Sequence, residues 1–168
     1  MFIPKYNLSS EKNVTDKFLI KNSITVSVGD VVDLTAGQVD LGDASTTAIL
    51  GVVVAIVNED GTPIVTDGTA GSQVGSYKGT FLTASDNATV AKVMAVVNTS
   101  RDQVYQVELD ADAGTTSGSD VIGALFDLAG PKTIDESTVG AGPIQVIGFD
   151  PDVATTVFAK IAVSAITR

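Results

Sequence analysis

The sequence predicts an all-β protein, a barrel or sandwich of short antiparallel strands with an extended N-terminal arm. Valine (24) and threonine (19) supply about a quarter of the 168 residues, and both β-branched side chains favour a pleated surface over a helix. Sixteen glycines and many Asp, Asn, Ser and Thr clusters divide the chain into short runs, which is typical of closely spaced strands. Apolar residues make up 44% and charged residues 18% of the chain, so it can bury a core and is not expected to be disordered.

In the first half of the chain, strands are predicted where apolar residues alternate or run together between turn residues. These segments are 24–28, 31–34, 38–41, 49–57 and 77–83. The continuous apolar run 49–57 predicts a strand that is buried on both sides or crosses the core. Its nine residues fall well short of the roughly 20 that a membrane helix needs, so we expect no membrane partner.

In the second half, segment 88–97 is ambiguous. Its alanine, lysine and methionine residues permit a helix, but its valines favour the strand that we predict. Further strands are predicted at 102–109, 144–149 and 155–166, with a turn of helix near Ile134–Glu136. Segment 121–128 is predicted as a strand or as a strand with a short turn. Alternation within 102–109 sets Tyr105 and Val107 on one face and Gln106 on the other.

Two parts of the sequence are similar to each other. Segments 28–34 and 49–53 form one block, and segments 119–128 and 144–149 form the other. Both consist of an acidic turn, a strand, a loop and a strand with a glycine inside it, and such a glycine permits the bulge or bend that closes a small barrel. Chance similarity between segments rich in valine and glycine explains the pattern equally well, so a duplication stays open.

The composition argues against catalysis and against bound cofactors. The chain has no histidine, cysteine or tryptophan, which removes the usual general base, the thiolate nucleophile and the commonest metal ligands. The nearest match to a calcium loop, at 110–114, has glycine at the fifth position and valine at the twelfth, and these do not fit the EF-hand pattern. Phosphate-binding glycine loops and a nucleophile elbow are absent from the sequence. We therefore expect no catalytic, cofactor-binding or metal-binding residue.

Residues 1–21 differ from the rest of the chain. Their net charge is +2, whereas the remaining residues carry −12; the acidic body disfavours nucleic acid as a partner. The segment also holds three of the nine aromatic residues, more than a polar spacer would need. We interpret 1–21 as an arm that binds a partner and 22–168 as a single β-barrel or sandwich domain, although a solvated, partly disordered N-terminus is an alternative. The candidate contact residues of the arm are Phe2, Ile3, Lys5, Tyr6, Lys12, Lys17 and Phe18.

Several of these segments resemble the small auxiliary head proteins of tailed bacteriophages, which decorate or cement the outside of a capsid. The resemblance is carried by 92–98, 102–110 and 119–128, and by 28–34 followed by 49–53. The resemblance covers about residues 24–128 and consists of similar short strand segments and acidic glycine turns, without a shared chemical motif.

The resemblance implies a β-rich protein, often a homotrimer, that grips the shell through an N-terminal arm and has no active site. It implies the major capsid protein as partner, the virion surface as location, and the host cytoplasm as location before assembly. Two alternatives stay open: another virion component, such as a head fibre base, a neck or a tail protein, and a secreted bacterial adhesion or carbohydrate-binding β-sandwich. The aromatic content of 5% argues against carbohydrate binding.

Overall fold

The computed structural model describes residues 1–9, 13–21, 24–63, 93–110, 122–140, 142–150, 152–153 and 155–162. These residues form strands and no helix, which confirms the predicted all-β class. The strands are β1 (Ile3–Asn7), β2 (Thr15–Leu19), β3 (Val31–Thr35), β4 (Gln38–Leu41), β5 (Gly51–Asn58), β6 (Val93–Asn98), β7 (Gln103–Leu109), β8 (Leu125–Gly130), β9 (Thr133–Asp135), β10 (Ile144–Phe149) and β11 (Thr156–Ile161).

The strands form two sheets. Strands β7, β11, β10, β8 and β9 lie side by side in that order, and β9 pairs in parallel with β7, so these five strands close into what we call the C-terminal barrel. Strand β1 pairs with β7 beside this closure. The order of the other sheet, the N-terminal sheet, is β2, β6, β5, β3 and β4. Its two outer strands meet at a parallel bridge between Ile20 and Val39, where the Lys21 N–H donates to the Val39 carbonyl at 3.0 Å.

The two sheets repeat one topology. When the strands of each are numbered from one to five along the chain, both have the order 1-5-4-2-3. Their neighbouring strands are antiparallel, and the contact between the third and first strands is parallel in both. The segments that are similar in sequence supply the second and fourth strands of each sheet, so the similarity marks a repeated architecture.

The strand registers repeat as well. The equivalent pairs, N-terminal sheet first, are Leu34–Val39 and Leu128–Ile134, Val53–Val97 and Val146–Ala159, and Ile20–Val39 and Leu109–Ile134. The fourth strand of each sheet shifts register at the same place, between Val53 and Ala55 in one and between Val146 and Gly148 in the other. The Gly148 shift fits the bulge that the sequence pattern permits.

A glycine turn before the second strand is also common to both sheets. Gly29 has a φ of 87° and Gly123 a φ of 88°, a left-handed conformation that a side chain disfavours. Each glycine N–H donates at 2.8 Å to the fourth strand, to the Val53 carbonyl in one sheet and to the Val146 carbonyl in the other. The repeated turn therefore holds the same two strands together in each half.

Each sheet has its own core, and the two cores meet along β3 and β5. Val31, Ile49 and Val52 belong to the cluster of the C-terminal barrel, although their strands lie in the N-terminal sheet. Their neighbours Val32, Leu50 and Val53 belong to the cluster of the N-terminal sheet. Successive side chains of a strand point to opposite faces, so 49–53 is buried on both sides, which confirms the prediction for this part of the apolar run 49–57.

Most of the predicted strands are confirmed to within a few residues. They are 31–34, 38–41, 49–57, 102–109 and 144–149. Strand β6 confirms the interpretation of 88–97 for its described part, and β11 does the same for 155–166. The predicted strand 77–83 lies outside the described residues.

Two predictions need correction. The predicted strand 24–28 is irregular, although Val26 is fully buried, so the apolar alternation there reflects burial without pairing. The predicted helical turn near Ile134 is strand β9, because Ile134 fills the barrel core and pairs with two neighbouring strands. In segment 121–128 the turn at Gly123 precedes strand β8, which begins at Leu125; this agrees with the predicted alternative of a strand with a short turn.

The described part of residues 1–21 is extended, and it pairs into both sheets. Strand β1 pairs with β7, and β2 pairs with β6 over its whole length. Phe2 and Ile20 are each 1% exposed and lie in the two different cores. The segment expected as an arm therefore supplies one strand and one buried side chain to each half of the molecule.

Candidate binding surface at the junction of the two sheets

The chain passes between the two sheets twice, and the two passages lie side by side. The first joins β1 to β2 through residues 8–14, and the second joins β6 to β7 through residues 99–102. The Leu8 N–H donates to the Asp102 carbonyl at 2.8 Å, and the Thr99 N–H donates to the Val14 carbonyl at 2.9 Å. The N-terminal sheet is thus inserted between β1 and β7, and both passages belong to one antiparallel ribbon.

Two buried amide side chains hold the second passage in place. Asn98 is 2% exposed and Gln103 is 1% exposed. The Asn98 Oδ1 accepts the Ser100 N–H at 3.0 Å, and the Gln103 Nε2 donates to the carbonyl of Tyr6 at 3.0 Å and to that of Val104 at 2.8 Å. Buried amides satisfied in this way fix the backbone around them, so the junction is a rigid part of the fold.

Exposed apolar side chains are concentrated on this ribbon. Ile3, Tyr6, Leu8 and Val14 are 44–54% exposed and make up half of the large apolar side chains that are exposed in the described residues. Lys5 is exposed among them. We call these five residues the β1 surface. Single exposed apolar residues are ordinary, but a group of them indicates an interaction site.

The sequence-predicted contact residues divide between this surface and other places. Ile3, Lys5 and Tyr6 lie on the β1 surface. Lys17 is exposed on β2, in the other sheet. Lys12 lies outside the described residues.

The two predicted phenylalanine contacts lie elsewhere. Phe18 is half-buried and packs against the core of the N-terminal sheet. Phe2 is a core residue and not an exposed contact, because its ring meets that of Tyr105 edge-on, with centroids 6.0 Å apart and planes at 73°. Its N–H donates to the Gly29 carbonyl at 3.1 Å. The same burial raises the pKa of the Tyr105 phenol.

A pocket of about 260 Å³ opens between the two passages. Its lining consists of Asn7, Ser9, Val14, Thr99, Ser100, Arg101 and Asp102. The Ser100 Oγ accepts the Val14 N–H at 2.7 Å, across 86 positions of sequence. Arg101 lies beside Asn7 and Val14 only because distant parts of the chain meet here, and no local pattern in the sequence indicates that contact.

A second contact between the sheets surrounds a buried carboxylate. Asp30 is 2% exposed; its Oδ2 accepts the Ser27 N–H at 2.7 Å, and its Oδ1 lies 3.5 Å from the Lys132 Nζ. Burial raises the pKa of Asp30, against the lowering effects of the Ser27 hydrogen bond and Lys132. Next to this pair, the Val31 N–H donates to the Pro131 carbonyl at 2.7 Å, so the arrangement holds the two halves together.

Within the described ranges, no group of three or more acidic, histidine or cysteine side chains could hold a metal ion. The same residues contain no helix long and apolar enough to cross a membrane. Comparison of the chain with protein-family models, curated proteins and solved structures found no match.

Proposed function

We propose that this protein is a structural component of a virion that decorates and stabilises the outer surface of an icosahedral phage capsid, and that it catalyses no reaction. The observation that carries the proposal is the β1 surface, a group of exposed apolar side chains with a lysine among them, on a rigid ribbon that spans both sheets. The resemblance to auxiliary head proteins supplies the identity of the particle.

The proposed partner is the major capsid protein. In this proposal the chain is in the host cytoplasm before assembly and acts afterwards as a homotrimer on the virion surface. A protein that binds the assembled shell and not its free subunits stabilises the shell by mass action. Three copies of a weak contact, linked by closed symmetry, would bind together with far higher avidity than one.

Point variants test the surface better than a deletion does. Removing residues 1–21 would take one strand from each sheet and one side chain from each core, so loss of binding would only report unfolding. The variant Tyr6→Ser/Leu8→Ser changes two side chains that are 50% and 54% exposed. Ile122→Ser, at a side chain 50% exposed on the C-terminal barrel, is the matched control.

The measurement is co-sedimentation of each variant with empty shells, assembled from the major capsid protein of the phage that encodes this chain. We expect the double variant to bind at least about fivefold more weakly, since a hot-spot side chain contributes more than about 1 kcal/mol, and the control to bind as the wild type does. Wild-type protein that does not sediment with shells would refute the proposal. Equal binding by the double variant and the wild type would remove the β1 surface from it.

A further inference from the structure

We propose that the pocket between the two passages binds a carboxylate, supplied by an aspartate or glutamate side chain of the protein's partner. The source of the carboxylate rests on the proposed function, because it identifies that partner as the capsid protein. The site itself rests on the geometry of the junction.

Arg101 is the group that would bind the carboxylate. It lines the pocket and is half-buried, and in the described part of the chain its guanidinium has neither an ion pair nor a hydrogen bond. A guanidinium presents five donors in a planar fork that matches the two oxygens of a carboxylate. A half-buried fork without a partner is therefore suited to an anionic group from another molecule.

Ser100 offers a further donor at the same place. Its Oγ accepts the Val14 N–H at 2.7 Å, which leaves the hydroxyl proton available to a ligand. Its own N–H is held by the buried Asn98 at 3.0 Å. Because these bonds fix the backbone before binding, a ligand would lose little free energy in ordering the pocket.

The charges around the pocket favour a single carboxylate over a phosphate chain. Asp102 also lines the pocket, and the chain as a whole carries a net charge of −10, so a polyanion would be repelled. One arginine balances one carboxylate. Tyr6 on β1 and Leu8 in the first passage are half-exposed. Their apolar surface would exclude water from the ion pair, as the rim of an interface does around a central contact.

The first experiment uses the full-length chain labelled with ¹⁵N and acetate as the probe, with chloride at equal ionic strength as reference. We expect saturable NMR shifts of the Arg101 side-chain N–H and the Ser100 amide with acetate only. Arg101→Gln should abolish the Ser100 shift, and Arg101→Lys should weaken it, because lysine lacks the fork. Lys160→Gln, at a partly exposed cation on β11 that lies outside both the pocket and the β1 surface, should leave it unchanged. Equal shifts with chloride, or an intact Ser100 response in Arg101→Gln, would overturn the site.

The second experiment measures Arg101→Gln in the shell-binding assay, after its NMR spectrum has shown that it is folded. We expect about tenfold weaker binding, the loss typical of a charge-assisted hydrogen bond. Unchanged shell binding by Arg101→Gln would overturn the assignment of the carboxylate to the capsid protein and would leave the proposed function standing. Wild-type protein that binds acetate but not shells would refute the proposed function and support the pocket alone.

Discussion

Replacing Phe2 with alanine tests whether the N-terminal segment is built into the barrel. Phe2 is 1% exposed, belongs to the barrel core, and packs edge-on against Tyr105 at 6.0 Å. Truncation of a buried phenylalanine to alanine destabilises a protein by about 3–5 kcal/mol, including the cavity that it leaves. We expect a loss near the lower limit, about 3 kcal/mol, because among the described strands β1 pairs with β7 alone and can relax around the missing ring.

Urea denaturation followed by far-UV circular dichroism measures this loss directly, provided that the slope of the transition is the same in both proteins. For a chain of this size, about 3 kcal/mol corresponds to a fall in Tm of roughly 6–12 °C. The control is Tyr6→Ala, four residues after Phe2 and 50% exposed, which should change the stability by no more than about 0.5 kcal/mol. If both variants lose the same small amount, under about 1 kcal/mol, Phe2 does not lie in the core and becomes a candidate contact residue again.

Three further changes probe the backbone and the buried charge. Gly51→Ala would set a Cβ well inside van der Waals distance of the Asn98 carbonyl oxygen, and we expect a loss of about 1–3 kcal/mol. Gly130→Ala should cost much less, because a Cβ there would meet no described residue within 4 Å beyond its chain neighbours. Similar losses in urea would contradict the close approach at Gly51. Ala36 has a φ of 51° in the two-residue turn between β3 and β4, so Ala36→Asn should raise the stability by about 0.5–1 kcal/mol, and a lower Tm would refute this. Burial raises the pKa of Asp30 above 3.8, so the folded state holds that proton more tightly and this group's contribution to stability falls as the pH rises through the raised pKa. Asp30→Asn should therefore gain stability relative to the wild type as the pH rises from 3.8 through the raised pKa of Asp30, and a pH-independent difference in urea titrations would disprove it.

Strands whose pattern is local could be predicted from the sequence. In 103–109 the residues Tyr105 and Val107 are buried and Glu108 is exposed, because alternation along one strand records which face meets the core. Strands β1 and β2 show no such alternation of buried and exposed residues, since most of their side chains are exposed at sheet edges. The three-residue strand β9 is too short to produce a pattern, and its parallel pairing with β7 is a property of the closed barrel.

The candidate site could be predicted only in part, for a similar reason. Composition and charge drew attention to residues 1–21, and Ile3, Lys5 and Tyr6 are indeed exposed there. The sequence does not show that Phe2 is buried while Ile3 and Tyr6 are exposed, because single apolar residues in a polar segment form no periodic pattern that reports burial. Arg101 reaches the site through a contact between distant parts of the chain, and no pattern within one segment reports such a contact.

The repeated topology separates features that the fold requires from features that it does not. Tyr105 and Asp16 occupy equivalent positions, since they pair with the equivalent residues Ala159 and Val97. In the C-terminal barrel, β1 covers this edge and Tyr105 is buried. In the described part of the N-terminal sheet no strand covers it, and the exposed charges of Asp16 and Lys17 disfavour the addition of another strand. The first strand of the repeated topology can therefore be covered by another strand, as β7 is by β1, or carry exposed charges, as β2 does. Neither β1 nor the pocket beside it is needed for a sheet of this topology to form. Stability of the repeat therefore does not explain the exposed apolar residues of the β1 surface, and the proposed binding function predicts apolar side chains at this place.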